Sequence, residues 1–255
     1  MVDKSDILTE DFARYFRIEL VTSKQQANEV YGVRYRVYCK EFKYEATDVF
    51  PDKLETDEFD EQSIHCLIIH KATGRAAGCV RLVTACEEKE GGLLPFEKFC
   101  KQSLDSKLID SYRLERDTEC EISRLAVDGA FRRRLGEKAT RFGEVDSIDC
   151  TKHEQRTFSL IALSCLLAAT AISELSQKNN GFAMMEPVLP RLLRRSGIIV
   201  ERVGSDMDYH GIRAPYHFTT QSMLENMHPD LKAMYFWVRH QVEVDFGKHK
   251  FSDYL

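Results

Sequence analysis

Residues 158–172, FSLIALSCLLAATAI, form the longest apolar run in a chain of 255 residues. The run holds Ser159 and Ser164 and falls short of the roughly 18–20 residues needed to span a bilayer. A helix that is apolar on every side must be enclosed by other elements. The run therefore predicts a buried core helix, and the rest of the fold has to be built around it.

The remaining pattern supplies the layers. Residues 16–21 read as a short strand, and Ser23 as the N-cap of a helix running to about Phe42. SIHCLIIH and AAGCVRLVT, separated by KATGR with Gly74 at the turn, predict a hairpin. A mixed segment, 87–118, leads to a strand that begins near Cys120, and an irregular charged stretch, 128–156, follows it. The apolar helix is expected to stop at Asn179–Asn180–Gly181. FAMMEP, IIVERVG and APYHFTT read as strands, and 188–196 as a short amphipathic helix closed by Gly197. A last helix, about 229–245, carries Leu231, Tyr235, Trp237, Val238 and Val242 near helical spacing. A meander that turns into alternating strands and helices predicts an α/β (α+β) fold with a mixed sheet and helices on both faces. It is expected to be one domain over 1–255, with a C-terminal helical extension from about 221.

With 43% hydrophobic and 30% charged residues the chain should fold, and its formal charge of −5 argues against general nucleic-acid affinity. The start, MVDKSDILTEDF, has four acidic residues and no apolar run, so it does not read as a secretory signal. The eight cysteines make no C-x-x-C pair and several sit in apolar patterns, which predicts reduced, buried thiols in a cytoplasmic protein. The eight histidines show no metal-ligand spacing. No transmembrane segment is expected, and peripheral membrane contact stays open.

Several charges stand where apolar residues belong. Val30, Val33, Val37 and Tyr38 make a helical stripe, and Arg34 lies on it. A buried guanidinium needs a carboxylate partner. ETDEFDEQ offers Glu55, Asp57, Glu58, Asp60 and Glu61 around Phe59. Arg81 sits mid-strand, on the face of Cys79 and Val83. In CEISRLAVDGAFRRRLGE, Glu121 and Arg124 are charged among Ile122, Leu125, Ala126 and Val127. Together they predict a buried, paired polar site. Strand alternation puts Glu121 and Arg124 on opposite faces unless a bulge intervenes.

In order and spacing, R34-x3-Y38-x5-Y44, E55-x-D57-x-F59-D60, V80-R81-L82 and E121-x-S123-R124 resemble the motif series of the acyl-homoserine-lactone autoinducer synthases. Tyr38 and Tyr44 stand at that family's aromatic positions, and Cys120 where a Trp usually precedes the Glu. MMEPVLPRLLRRSGI and DYHGIRAPYHF resemble the related long-chain N-acyl amino acid synthases, in particular the PEP-CTERM/exosortase-associated acyltransferases. These likenesses extend over roughly residues 16–220.

The resemblance implies a GNAT-like, mostly antiparallel central sheet with a splay between two central strands. It implies transfer of an acyl group from an acyl carrier protein thioester, or from acyl-CoA, to the α-amine of an amino acid or similar amine, with no permanently bound cofactor. An α-ammonium must lose a proton before it can attack, and Glu121 is the carboxylate expected to take it, directly or through water. By the resemblance Arg34, Asp57, Asp60, Arg81 and Arg124 shape the catalytic site and the acceptor pocket. Leu125, Ala126 and Val127 would hold the donor's pantetheine arm or the oxyanion. Arg132, Arg133, Arg134 and Gly136 would meet the 4′-phosphate and acidic surface of the carrier protein. Arg133-x-x-Gly136-x-Lys138 matches the family's pyrophosphate loop in part. Tyr38, Tyr44 and Arg213 are assigned to the acceptor, with Arg213 taking a carboxylate. Arg191, Arg194 and Arg195 make a second basic cluster.

On the apolar helix, Leu160, Leu163, Leu166 and Leu167 with Ala162, Ala168, Ala169 and Ala171 could line an acyl channel or simply pack the core. Three other functions stay open: lactone synthesis from S-adenosylmethionine, acetyl-CoA-dependent acetylation, and non-catalytic binding of acyl carriers or lipids. A Cys120 nucleophile is disfavoured, because no histidine is near it in sequence.

Overall fold

A computed structural model describes residues 4–85, 92–132, 157 and 159–248. Helix α1 (Lys4–Tyr15) leads into strand β1 (Phe16–Leu20) and then helix α2 (Lys24–Arg34). Ser23 caps α2 as expected, its hydroxyl accepting the Gln26 amide at 3.2 Å. The helix does not run unchanged to Phe42. Over Tyr35–Glu41 it widens into a π-helix, closed by the Phe42 amide donating to the Val37 carbonyl at 2.9 Å. Such π segments are frequent at functional sites.

The predicted hairpin forms as β2 (Ser63–His70) and β3 (Ala76–Thr84). Helices α3 (Pro95–Phe99) and α4 (Ser106–Ser111) fill the mixed segment before β4 (Glu119–Val127), and α5 (Gly129–Arg132) follows it. The apolar run becomes α6 (Leu160–Leu175). After it come β5 (Asn180–Met185), α7 (Leu189–Arg195), β6 (Glu201–Arg202), β7 (Met207–Asp208), β8 (Ile212–Thr219), α8 (Thr220–Glu225) and α9 (Pro229–Lys248). Among the described residues the sheet order is β1-β2-β3-β4-β5-β8-β6, with β7 beside β8. Each pairing is antiparallel except β4 with β5.

Helix α6 is the centre of the main core, as its sequence requires. It packs on β2, β3 and β4 and is covered by α9; Cys165, Leu167, Ala168, Ala169 and Ile172 have no exposed surface. Gly78 of β3 permits the close approach, since a Cβ there would stand 2.9 Å from Ile161. On the other face of the sheet Val30, Val33 and Val37 pack against Leu67, Ile69 and Cys79, whereas Cys66 and Ile68 point to the α6 side. Period-two alternation thus buries β2 and β3 on both faces.

Several element boundaries differ from the sequence reading. Helix α6 ends earlier, at a Schellman turn in which Lys178 N–H donates to the Ser173 carbonyl at 2.9 Å and Gln177 takes φ +61°. That frees Asn180 and Gly181 to open β5 opposite Glu119 and Cys120. Of IIVERVG only Glu201–Arg202 pairs as strand. Among the described residues, six cysteines are free and buried, and no helix is long and apolar enough to cross a membrane.

Candidate active site

Arg34 is fully buried on the stripe that α2 turns to the sheet. Its Nε donates to Glu55 and its Nη1 to Asp60 Oδ1 at 2.5 Å. Arg81, equally buried in β3, donates to Asp57 at 2.5 Å and to the same Asp60 oxygen at 2.8 Å. Arg124 completes the network from β4, reaching Glu55 at 3.2 Å and Asp57 at 2.9 Å. Three guanidinium groups face three carboxylates, so the cluster is neutral as a whole, while Arg34 Nη2 and Arg81 Nη2 are buried without a hydrogen-bond partner among the described residues. Burial acts to raise the Asp60 carboxyl, but Arg34 and Arg81 outweigh it and hold it down at about 2. His65 lies 3.6 Å from Asp60, yet burial depresses its imidazole to about 4 despite that carboxylate, so this contact is not an ion pair.

The β3–β4 register slips between Cys79 and Arg81. Two residues of β3 span three of β4, and Arg124 takes φ +51° at the extra position. This bulge turns Arg124 to the side of the sheet that Glu121 faces, where both line one cleft. The simple alternation expected from the sequence therefore does not hold across 121–124.

The cleft exists because β4 and β5 pair only over Glu119–Asn180, Cys120–Gly181 and Glu121–Phe182. Beyond Glu121 the strands separate around a cavity of about 420 Å³. Ile122–Val127 form one wall and Ala183–Met185 the other, with Ala162 and Leu166 of α6 and Val188, Leu189 and Leu192 beside α7 continuing the apolar lining. A second cavity of about 340 Å³ adjoins it and shares Glu45, Glu55, Arg124, Tyr209 and His210.

Glu121 stands where the pairing ends. It is 3% exposed and accepts the Phe96 amide at 2.7 Å. Burial pushes its carboxyl up to about 8, with the Phe96 amide, Arg81 and Arg124 offsetting only part of the rise. Burial prevails because the two arginines that act on Glu121, Arg81 and Arg124, are already engaged by Glu55, Asp57 and Asp60. A carboxyl poised near neutrality in a dry cleft can take a proton from an ammonium group.

The structure brings most of the predicted residues together. Glu121, Arg124, Leu125, Ala126, Val127, Arg132, Tyr38, Tyr44 and Arg213 line the cleft, while Arg34, Arg81, Asp57 and Asp60 form the ion network beside it. The Tyr38 hydroxyl donates to the Leu125 carbonyl at 2.9 Å, anchoring the π segment to the splayed strand. Arg132 is tied down, donating to the Val127 carbonyl at 2.7 Å and pairing with Glu41. Arg213 lies 5.7 Å from the Tyr44 ring centre and has no carboxylate partner among the described residues. Arg133, Arg134, Gly136 and Lys138 lie outside the described residues.

Of the two readings of α6, core packing holds for most of the named positions. Ala162 and Leu166 reach the cleft, whereas Leu160, Leu163, Leu167, Ala168, Ala169 and Ala171 pack in the core, because one helix face can look into the gap while the others are covered. Cys120 has no access to the cleft: burial lifts its thiol to about 12, and Sγ points at the Lys178 carbonyl, 3.2 Å away.

Glu55 was offered only as one of five possible carboxylate partners, and three further contributors were given no role from the sequence: the Phe96 amide, Tyr209 and His210. Glu55 stood within the acidic motif, and Tyr209–His210 within DYHGIRAPYHF, so the signal was present without a way to select them. Nothing local marks Phe96 as the partner of Glu121.

The chain has a GNAT-like fold: a mostly antiparallel sheet whose one parallel pair splays beside the candidate catalytic carboxyl. Residues 33–140 match the acetyltransferase (GNAT) domain family. Among solved structures, the AHL synthase LasI aligns with TM-score 0.55 at 15% identity, covering 84% of this chain and 97% of that one. BjaI, a CoA-dependent acyl-homoserine lactone synthase solved with SAM and isopentyl-CoA, aligns with TM-score 0.57 at 13% identity, over 88% of this chain and 89% of that one. FeeM, an N-acyl amino acid synthase from uncultured soil microbes, aligns with TM-score 0.53 at 9% identity, over 83% and 94%. At these identities the likeness is one of fold. No curated protein matches the chain by sequence.

Proposed function

We propose that the protein is an N-acyltransferase that moves an acyl group from a thioester, carried by acyl carrier protein or coenzyme A, to the amine of an amino acid or similar acceptor. The observation that carries this reading is the end of β4–β5 pairing at Glu121, which sets a high-pKa carboxyl at the head of an apolar cleft. The acyl chain would lie between the splayed strands, and the acceptor would enter from the adjoining cavity, where Glu55, Asp57 and Arg124 stand among Phe50, Phe99 and Tyr209. Ionised Glu121, directly or through water, takes a proton from the acceptor's ammonium. The freed amine nitrogen attacks the thioester carbonyl, the C–N bond forms, the C–S bond breaks, and the thiol leaves with a proton. Backbone amides of the unpaired strand are suited to hold the oxyanion. Arg124 fixes the site electrostatically, and Arg213, on the cleft wall without a carboxylate partner among the described residues, suits an anionic group of either substrate.

The test is mass spectrometry of lipid extracts from cells expressing the protein, followed by turnover of the purified protein with acyl carrier protein and coenzyme A thioesters. A new N-acyl amino acid supports the reading. An acyl-homoserine lactone would move the assignment to the synthases that LasI and BjaI represent. No acyl product from any thioester would overturn it.

A further inference from the structure

The rim of the cleft differs from its floor. Val188, Leu189 and Leu192 line the cavity and are still 52%, 39% and 49% exposed, and Phe42 across the opening is 45% exposed. Large apolar side chains normally scatter singly over a surface, whereas these four surround one opening. The short helix α7 bearing Leu189 and Leu192 also carries Arg191, Arg194 and Arg195, all exposed and without a carboxylate partner among the described residues. Glu186 is the one acid on this segment, so it is locally positive on a chain of formal charge −5. On the Phe42 side Arg132, its guanidinium 5.0 Å from that ring, is already paired with Glu41, so the unpaired positive charge lies on α7.

We infer that this rim docks on an anionic lipid surface, with the mouth of the cleft against the bilayer. The charge pattern fits both layers of a membrane interface. Guanidinium groups on long stems can sit at the level of lipid phosphates while Val188, Leu189 and Leu192 enter the acyl boundary. An acidic protein surface would satisfy the arginines but would leave the three aliphatic side chains facing carboxylates. Docking in this orientation also joins the apolar cleft to the apolar phase, so a hydrocarbon chain could move between them without entering water, a step disfavoured roughly fourfold for each methylene. The inference does not depend on the transfer chemistry, since its readout is binding.

The experiment is co-sedimentation of the whole chain with vesicles of phosphatidylcholine alone and of phosphatidylcholine mixed with phosphatidylglycerol. The wild type should partition onto the anionic vesicles at least about a hundredfold more strongly. R191Q/R194Q/R195Q should remove that preference, by about fivefold for each arginine, and leave binding to neutral vesicles unchanged. V188S/L189S/L192S should weaken binding to both, with unchanged circular dichroism and melting temperature confirming that both variants fold. A wild type that stays in the supernatant with anionic vesicles overturns the inference. So does an arginine variant that keeps its vesicle binding and instead loses affinity for acyl carrier protein, which would assign the face to a protein partner.

Discussion

Glu121 and Arg124 stand three residues apart on β4 and look into the same cleft, because Arg124 occupies the left-handed position of a bulge at φ +51°. For a residue with a full side chain that conformation costs about 1–3 kcal/mol, and it is held by ion pairs from Arg124 to Glu55 and Asp57. One strand thereby supplies an uncompensated acid and a compensated base to a single site.

Glu121→Gln should lower turnover by about 10²–10⁴-fold while leaving the fold and thioester binding in place. Single-turnover kinetics with a thioester donor would separate these effects. Full activity in the variant would remove Glu121 from the chemistry.

The pH dependence follows from the same group. Proton acceptance requires the ionised form, so the rate should climb as pH approaches about 8 and level off above it. Stability should move the opposite way. The folded protein keeps this proton up to about 8 whereas an unfolded Glu loses it near ~4.3, so stability from this group is full below the lower value and declines as pH rises through the upper. Urea titrations across that window should show a weaker decline in Glu121→Gln.

Arg34→Met should destabilise the protein by about 3–5 kcal/mol, because it takes one of two guanidinium partners from both Glu55 and Asp60 and leaves the buried network with an uncompensated negative charge. Arg34→Lys should recover only part of the loss, since an ammonium does not reproduce the guanidinium's fixed fork. Chemical denaturation of both variants is the check; a cost within about 0.5 kcal/mol, the range of ordinary surface changes, would contradict the assigned role of the network.

Arg124→Gly keeps a residue suited to the left-handed bulge and deletes the pairs to Glu55 and Asp57. The variant should fold and lose activity, whereas Arg124→Ala should lose the same activity and additional stability. Equal melting temperatures for the two would show that the bulge conformation carries no strain.

Ala162 lines the cleft from an exposed position on α6, so Ala162→Phe can narrow the cavity without overpacking the core. It should shift donor preference toward shorter acyl chains, each excluded methylene forfeiting about 0.8 kcal/mol of binding. Competition among thioesters of graded length would measure it, and an unchanged length profile would place the chain elsewhere.

The composition and order of residues determined much of this protein by themselves. A mostly apolar run too short for a bilayer had to become the buried helix, and two short β-like runs around Gly74 had to pair. Arg34 and Arg81, set into apolar elements, had to find carboxylates, and the acidic loop before β2 was the available source. Which carboxylate met which arginine was settled only in three dimensions, because Glu55, Asp57 and Asp60 are alike in sequence and differ in reach. Tertiary structure also decided the bulge at Arg124 and the parting of β4 from β5, since both depend on register with neighbouring strands. Glu121 became the poised acid for the same reason: its character comes from burial beside cations already spent on other carboxylates, a property of the assembled site and not of any local stretch.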